Sequence, residues 1–128
     1  MGYPMAGYIS KAGHNVTVFN RTTSKADKWL DENKGAKAET PAKAADGADF
    51  VFTCVGNDSD LSDVTIGKEG IYNTIKKGAV HIDNTTASAE IARELYKKAV
   101  QKIIKETIKT ELVIVKSRRG DSFFESFV

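Results

Sequence analysis

Residues 50–58 read FVFTCVGND, an apolar run that breaks off in Gly56-Asn57-Asp58. Phe50-Val51-Phe52-Thr53-Cys54-Val55 is uncharged and β-rich, which predicts a strand buried on both faces. Glycine ends it, and Asp58 or Ser59 is placed to cap a helix running toward Val64. A strand that passes through a short polar loop into a helix is the elementary unit of an α/β fold.

The unit recurs on both sides. Val16-Thr17-Val18-Phe19 reads as a short buried strand. It follows a helix over residues 2–12, where Met5, Ile9 and Ala12 recur at helical spacing and Gly13 supplies a stop. Thr23-Ser24 can cap a helix to about Glu32, with Ala26, Trp29 and Leu30 apolar and Gly35 just beyond its end. Thr40-Pro41 opens a short helix, proline being suited to a first turn. Ala79-Val80-His81-Ile82-Asp83 is a third strand, left through Asn84-Thr85-Thr86 into a helix from about Ser88 to Val100. This alternation through residues 2–100 predicts an α/β fold built on a parallel sheet covered on both faces. Residues 101–128 differ in character and form a divergent tail. Helical spacing persists to about Ile108, residues 112–116 carry a strand signal, and the aromatic end, Ser122 to Val128, has no evident partner.

Composition narrows the class. The 128 residues suffice for one domain. A net charge of +2, from 19 basic and 17 acidic residues, is too small to point to nucleic acid or an anionic membrane. The tail offers little field either, because its six basic residues stand among four acidic ones. The lone Cys54 excludes an internal disulfide and a CxxC metal site, and no metal ligand set emerges. No apolar run approaches the roughly 20 residues of a membrane span, and no signal-peptide pattern is present, so the expected compartment is the cytoplasm.

A parallel sheet of this kind binds its ligand at the carboxyl ends of its strands. Those ends are Asn20-Arg21-Thr22, Gly56-Asn57-Asp58 and Asn84-Thr85-Thr86, all short and polar. In a dinucleotide-binding βαβ unit, the end of the second strand meets the adenosine ribose, and an Asp or Glu there binds the 2′-hydroxyl of NAD. Asn20-Arg21-Thr22 contains no carboxylate, and Lys25 follows one turn on. A guanidinium and a hydroxyl suit the 2′-phosphate of NADP; the same residues also read as a solvated arginine beside a helix cap. His14 in a turn and His81 in a strand read as structural, and Cys54 as a small buried hydrophobe. Asp58, Asp60 and Asp63 read as a helix cap and first-turn charges. No catalytic residue is assigned.

Taken in order, MGYPMA (1–6), KAGHNVTVFNRT (11–22), TPAKAADGADFVFTCVGND (40–58) and HIDNTTASAEIAREL (81–95) resemble the NAD(P)-dependent β-hydroxyacid dehydrogenases, the family of 3-hydroxyisobutyrate dehydrogenase. The resemblance covers residues 1–100 and implies a Rossmann-type doubly wound sheet. It implies that Met1 and Gly2 end a GxGxMG fingerprint, Gly2 being its third glycine. It places Asn20, Arg21 and Thr22 at the adenosine ribose, in a form similar to the NADP-using members. It places Cys54, Val55, Gly56 and Asn57 on the nicotinamide side, and Thr85 and Thr86 at the Ser-Thr positions that touch cofactor and substrate.

The cofactor so implied is NADP, in preference to NAD. The implied reaction is hydride transfer between nicotinamide and a short β-hydroxyacid or semialdehyde. The resemblance also implies missing parts: the first strand of the sheet, the first two fingerprint glycines, the substrate loop, and the helical domain with its general acid/base lysine. None of Lys97, Lys98, Lys102 or Lys105 matches that lysine's motif. The expectation is therefore a fragment cut at both ends, inactive alone, whose longer form oligomerises. The alternative is a non-catalytic nucleotide-binding module. Loss of the first strand would bare a sheet edge and make the monomer marginal or aggregation-prone, unless Leu112–Val115 fills the gap.

Overall fold

A computed structural model describes residues 1–105, 112–118 and 121–127, with side chains described through residue 102. The parallel α/β architecture expected from the strand runs is the one the chain adopts.

Helix α1 (Gly2–Lys11) ends through Ala12 into Gly13, whose φ of 93° is the left-handed stop the sequence suggests. It lies on α2 (Thr23–Glu32). Gly7 is buried where an added Cβ would stand 2.9 Å from Asn33 Oδ1, the Ser10 hydroxyl donates to the Lys34 carbonyl at 2.6 Å, and the Trp29 indole N–H donates to the Tyr3 carbonyl at 3.2 Å. Trp29, at 1% exposure, anchors this unit. Gly35 passes so close that a Cβ would meet the Val16 carbonyl at 2.6 Å and the Trp29 ring at 2.8 Å. That close passage brings β2 (Ala36–Lys37) alongside β1 (Thr17–Val18), parallel, with Thr17 opposite Ala36. β2 has no counterpart in the sequence reading, because two exposed residues carry no pattern.

Helix α3 (Pro41–Ala45) starts as the sequence suggests, the Thr40 hydroxyl accepting the Lys43 N–H. A second sheet follows, in the order β3 (Phe50–Thr53), β4 (Val80–Asp83), β5 (Leu112–Arg118), β6 (Asp121–Phe127). The first three are parallel, with Phe50 opposite Val80, Thr53 opposite Asp83 and Ile82 opposite Val115; β6 returns antiparallel to β5. Between β3 and β4 run α4 (Asp58–Ile66) and a 3-10 turn (Ile71–Asn73), and α5 (Ala89–Lys105) joins β4 to β5. Leu61, Ala87, Ile91 and Leu95 form the buried cluster between α4 and α5, joined by Val55, Val64 and Ile66. The domain boundary expected at residue 100 falls inside α5.

Several local expectations are corrected. β3 stops at Thr53, so Cys54 and Val55 belong to its exit loop; the Val55 N–H donates to the Thr85 hydroxyl and not to a strand partner. The cap of α4 is Asn57, whose Oδ1 accepts the Asp60 N–H at 2.9 Å, and not Asp58 or Ser59. α2 begins after Thr22, not at a Thr23 or Ser24 cap, and the Thr22 N–H donates to Asn20 Oδ1. Leu112–Val115 does form a strand, but it pairs with β4, on the far side from β3. The other edge of β3 has no strand partner among the described residues, and the burial on both faces expected of this run is not met: Phe50 and Phe52, two residues apart and so on one face, stand 61% and 44% exposed.

Candidate functional site

The loop 54–57 and the first turn of α4, which follow β3 at its carboxyl end, are where Gly2, Arg21 and Thr85 of the sequence-derived candidates meet. Gly2, at the start of α1, lies against the loop: a Cβ there would stand 3.4 Å from Cys54 Cβ and 4.0 Å from the Cys54 carbonyl. From the exit of β1, Arg21 reaches the helix turn, Nη1 to Asp60 Oδ1 at 2.9 Å. From the exit of β4, the Thr85 hydroxyl takes the Val55 N–H at 3.1 Å. Strand ends that are 30 residues or more apart thus share one loop and the helix turn after it.

Each loop is shaped by local chemistry. Asn20 folds its side chain back on the Thr22 N–H, an Asx turn that sets the approach to α2. Asn57 caps α4 and also donates Nδ2–H to Asp60 Oδ2 at 3.2 Å. Gly56 lies beside that pair, and a Cβ there would stand 3.2 Å from Asp60 Oδ2. Asp58 accepts the Ser88 N–H at 2.8 Å, which ties the start of α4 to the start of α5.

Behind the loops runs a buried polar chain. Asp83 Oδ1 accepts the Thr53 hydroxyl at 2.8 Å and the Thr85 N–H at 2.9 Å. Thr53 Oγ1 also lies 3.1 Å from His81 Nε2, and Tyr72 Oη 3.2 Å from His81 Nδ1. Thr53 has one proton and gives it to Asp83, so its oxygen accepts from His81 Nε2–H. Nδ1 is then unprotonated and accepts from Tyr72. The chain runs one way, Tyr72 to His81 to Thr53 to Asp83, and requires a neutral imidazole. Complete burial pushes the His81 pKa down to about 4, partly opposed by the Asp83 carboxylate. Burial, and then Asp83, push the Tyr72 phenol up.

The candidates therefore separate by position. Met1 (86% exposed), Asn20, Arg21, Thr22, Gly56, Asn57 and Thr86 are open to solvent. Gly2, Cys54 and Val55 are half-buried, and Thr85 is fully enclosed, its hydroxyl spent on Val55. Thr53, Tyr72, His81 and Asp83 went unassigned as a group. A period-two hint existed in His81 and Asp83, but Thr53 and Tyr72 come from other elements. His14 stands exposed beyond the far end of α1. Lys102 Nζ donates to the Tyr72 carbonyl at 2.5 Å, which anchors α5 on the 3-10 turn. Among the described residues no group of His, Cys, Asp and Glu is arranged to hold a metal, and no helix is long and apolar enough to cross a membrane.

Known proteins resemble this chain in sequence and in fold. The family of the NAD-binding domain of 6-phosphogluconate dehydrogenase matches residues 1–107. An uncharacterized oxidoreductase of Shewanella frigidimarina is 55% identical over 95 residues, 74% of this chain and 33% of that protein. A probable mitochondrial 3-hydroxyisobutyrate dehydrogenase-like protein of Arabidopsis thaliana is 41% identical over 100 residues, 77% of this chain and 30% of its own length. The crystal structure of a 3-hydroxyisobutyrate dehydrogenase from Salmonella typhimurium superposes with a TM-score of 0.72 at 19% identity, covering 89% of this chain and 36% of that one. At that identity the superposition speaks to the fold, which is Rossmann-like. The chain spans about a third of the length of the curated relatives it matches. By the match over residues 1–107, this chain belongs to the family of the NAD-binding domain of 6-phosphogluconate dehydrogenase.

Proposed function

We propose that the chain is the cofactor cradle of an oxidoreductase of the 3-hydroxyacid dehydrogenase type and binds NADP in preference to NAD. In the full-length protein the reaction is hydride transfer between nicotinamide and a short β-hydroxyacid or semialdehyde. The observation that carries the reading is the convergence of α1's start, loop 20–22 and loop 84–86 on loop 54–57 and the first turn of α4.

The residues fit such a ligand. α1 has no acidic side chain in its first turn and no side-chain cap, so nothing there would oppose an anion at the Gly2 and Tyr3 N–H groups. Asn84 Nδ2 is buried with no hydrogen-bond partner among the described residues, a donor in want of an acceptor. On this reading Met1 and Gly2 meet the pyrophosphate, and Asn20, Arg21 and Thr22 the adenosine ribose. Cys54 and Val55 line the nicotinamide side, with Thr86 next in the chain to the Thr85 that binds Val55, while Gly56 and Asn57, which lie against Asp60, stand toward Arg21. Thr85 acts by fixing Val55. When bound, the cofactor supplies the hydride acceptor or donor. The chain's own part is to bind and orient it.

A second reading, binding without turnover by this polypeptide alone, is favoured by the state of its titratable groups. His81 has both ring nitrogens engaged, Asp60 is paired with Arg21, and Asp58 accepts from Ser88. Titration of the purified protein with NADPH and NADH, followed by nicotinamide fluorescence and calorimetry, tests both readings. Saturable one-to-one binding is expected. Absence of saturation at millimolar nucleotide overturns both, and turnover of a short β-hydroxyacid by this chain overturns the second.

A further inference from the structure

We infer that Asp60 sets how strongly the ribose end of the cradle prefers a 2′-phosphate over a 2′-hydroxyl, an inference that rests on the dinucleotide reading above. Read as sequence, Asn20-Arg21-Thr22 is a loop without a carboxylate. Folded, it has one: Asp60, 39 residues away, places Oδ1 2.9 Å from Arg21 Nη1.

The two partners are held unequally. Asp60 sits in the first turn of α4, its N–H given to Asn57 Oδ1 and its Oδ2 taking Asn57 Nδ2–H, and its side chain is 22% exposed. Arg21 is 83% exposed, and Asp60 is the partner its guanidinium finds among the described residues. The carboxylate is the fixed member and the guanidinium comes to it.

Charge then decides the consequence. A 2′-phosphate carries up to two negative charges near neutral pH. It must share Arg21 with Asp60 or displace it, and in either case a second anion stands within a few ångströms. The 2′-hydroxyl of NAD brings no charge and can donate a hydrogen bond to the same carboxylate. Arg21 favours NADP, and Asp60 holds that preference down. α4 delivers to this corner the acidic group that the second strand of an NAD-binding sheet ordinarily carries itself.

The test is the ratio of NADPH to NADH affinity in the purified protein, measured for wild type, Asp60→Asn and Asp63→Asn. Asp60→Asn keeps an acceptor for Asn57 and removes the charge. It is expected to raise the ratio by about two- to fivefold, the range open to an exposed ion pair. The gain should shrink in roughly molar salt, where screening reaches a few ångströms; a change in loop shape would not respond to salt. Asp63→Asn removes the same charge from the exposed side of α4 and should leave the ratio unchanged. If Asp60→Asn misfolds by circular dichroism, Asp60→Ser gives the same reading. A ratio that stays put or falls in the Asp60 variants, or rises equally in Asp63→Asn, overturns the inference and leaves nucleotide binding standing. Failure of wild type and variants to bind either nucleotide overturns the cradle reading and this inference with it.

Discussion

Lowering the pH from about 8 to about 5 puts a proton on His81 in the unfolded chain but not in the folded one. The imidazole is wholly buried, and Thr53 and Tyr72 occupy its two nitrogens in a chain that works only if it is neutral. Its folded pKa, about 4, lies below the ordinary 6.5. The sign follows: above pH 6.5 both states are neutral and the fold has its full stability, while below it the unfolded state binds the extra proton and gains. At about pH 5 the gap open to titration is roughly 1.5 pH units, which at ~1.4 kcal/mol per unit costs the fold about 2 kcal/mol. That is a large share of the 5–15 kcal/mol typical of a domain. Urea unfolding followed by the fluorescence of buried Trp29, repeated across this range, should show the midpoint falling as pH falls. His81→Asn, which can still donate to Thr53 and accept from Tyr72, should start less stable and lose most of that slope. A wild-type midpoint that holds constant from pH 8 to 5, or an Asn variant with the full slope, refutes the reasoning.

Other substitutions probe separate features. Gly35→Ala forces a methyl against the Val16 carbonyl and the Trp29 ring, and should lower stability by about 1–3 kcal/mol in thermal melts, with β1–β2 most affected. Thr85→Val keeps the shape but strands the buried end of the Val55 N–H, at a cost of about 1–3 kcal/mol, and should weaken dinucleotide binding, whereas Thr85→Ser restores both. Phe52→Lys puts a charge on the exposed edge strand; light scattering should show less self-association, with stability changed by no more than about 0.5 kcal/mol.

What the sequence revealed followed from local chemistry. The apolar runs at Val51 and Ile82 and the Gly13 stop and Thr40 cap each act within a few residues, so the helices and most strands were readable. β2 was not, since its place depends on Gly35 fitting under Trp29. The aromatic tail read as partnerless because its pairing to β5 is a matter of register between segments, not of pattern within one. In the site, topology alone located the three exit loops at strand ends. Which side chains meet there was hidden, because Arg21 and Asp60 are brought together only by the fold. The alternation after β4 that encloses Thr85 and exposes Thr86 was likewise invisible to composition.

Among the described residues, no strand hydrogen bond joins β1–β2 to β3–β4–β5–β6. Cooperative units of a fold open separately where few bonded contacts join them. Amide exchange should therefore divide the molecule at that seam, with Ala36 and Ala38, whose N–H groups donate to the Val16 and Val18 carbonyls, exchanging through openings that leave β4 protected. Gly2 against Cys54 and Arg21 on Asp60 are contacts that cross it. A ligand gripped from both sides would couple the two halves energetically, so that occupancy is felt as slowed exchange in β2, a strand it need not touch.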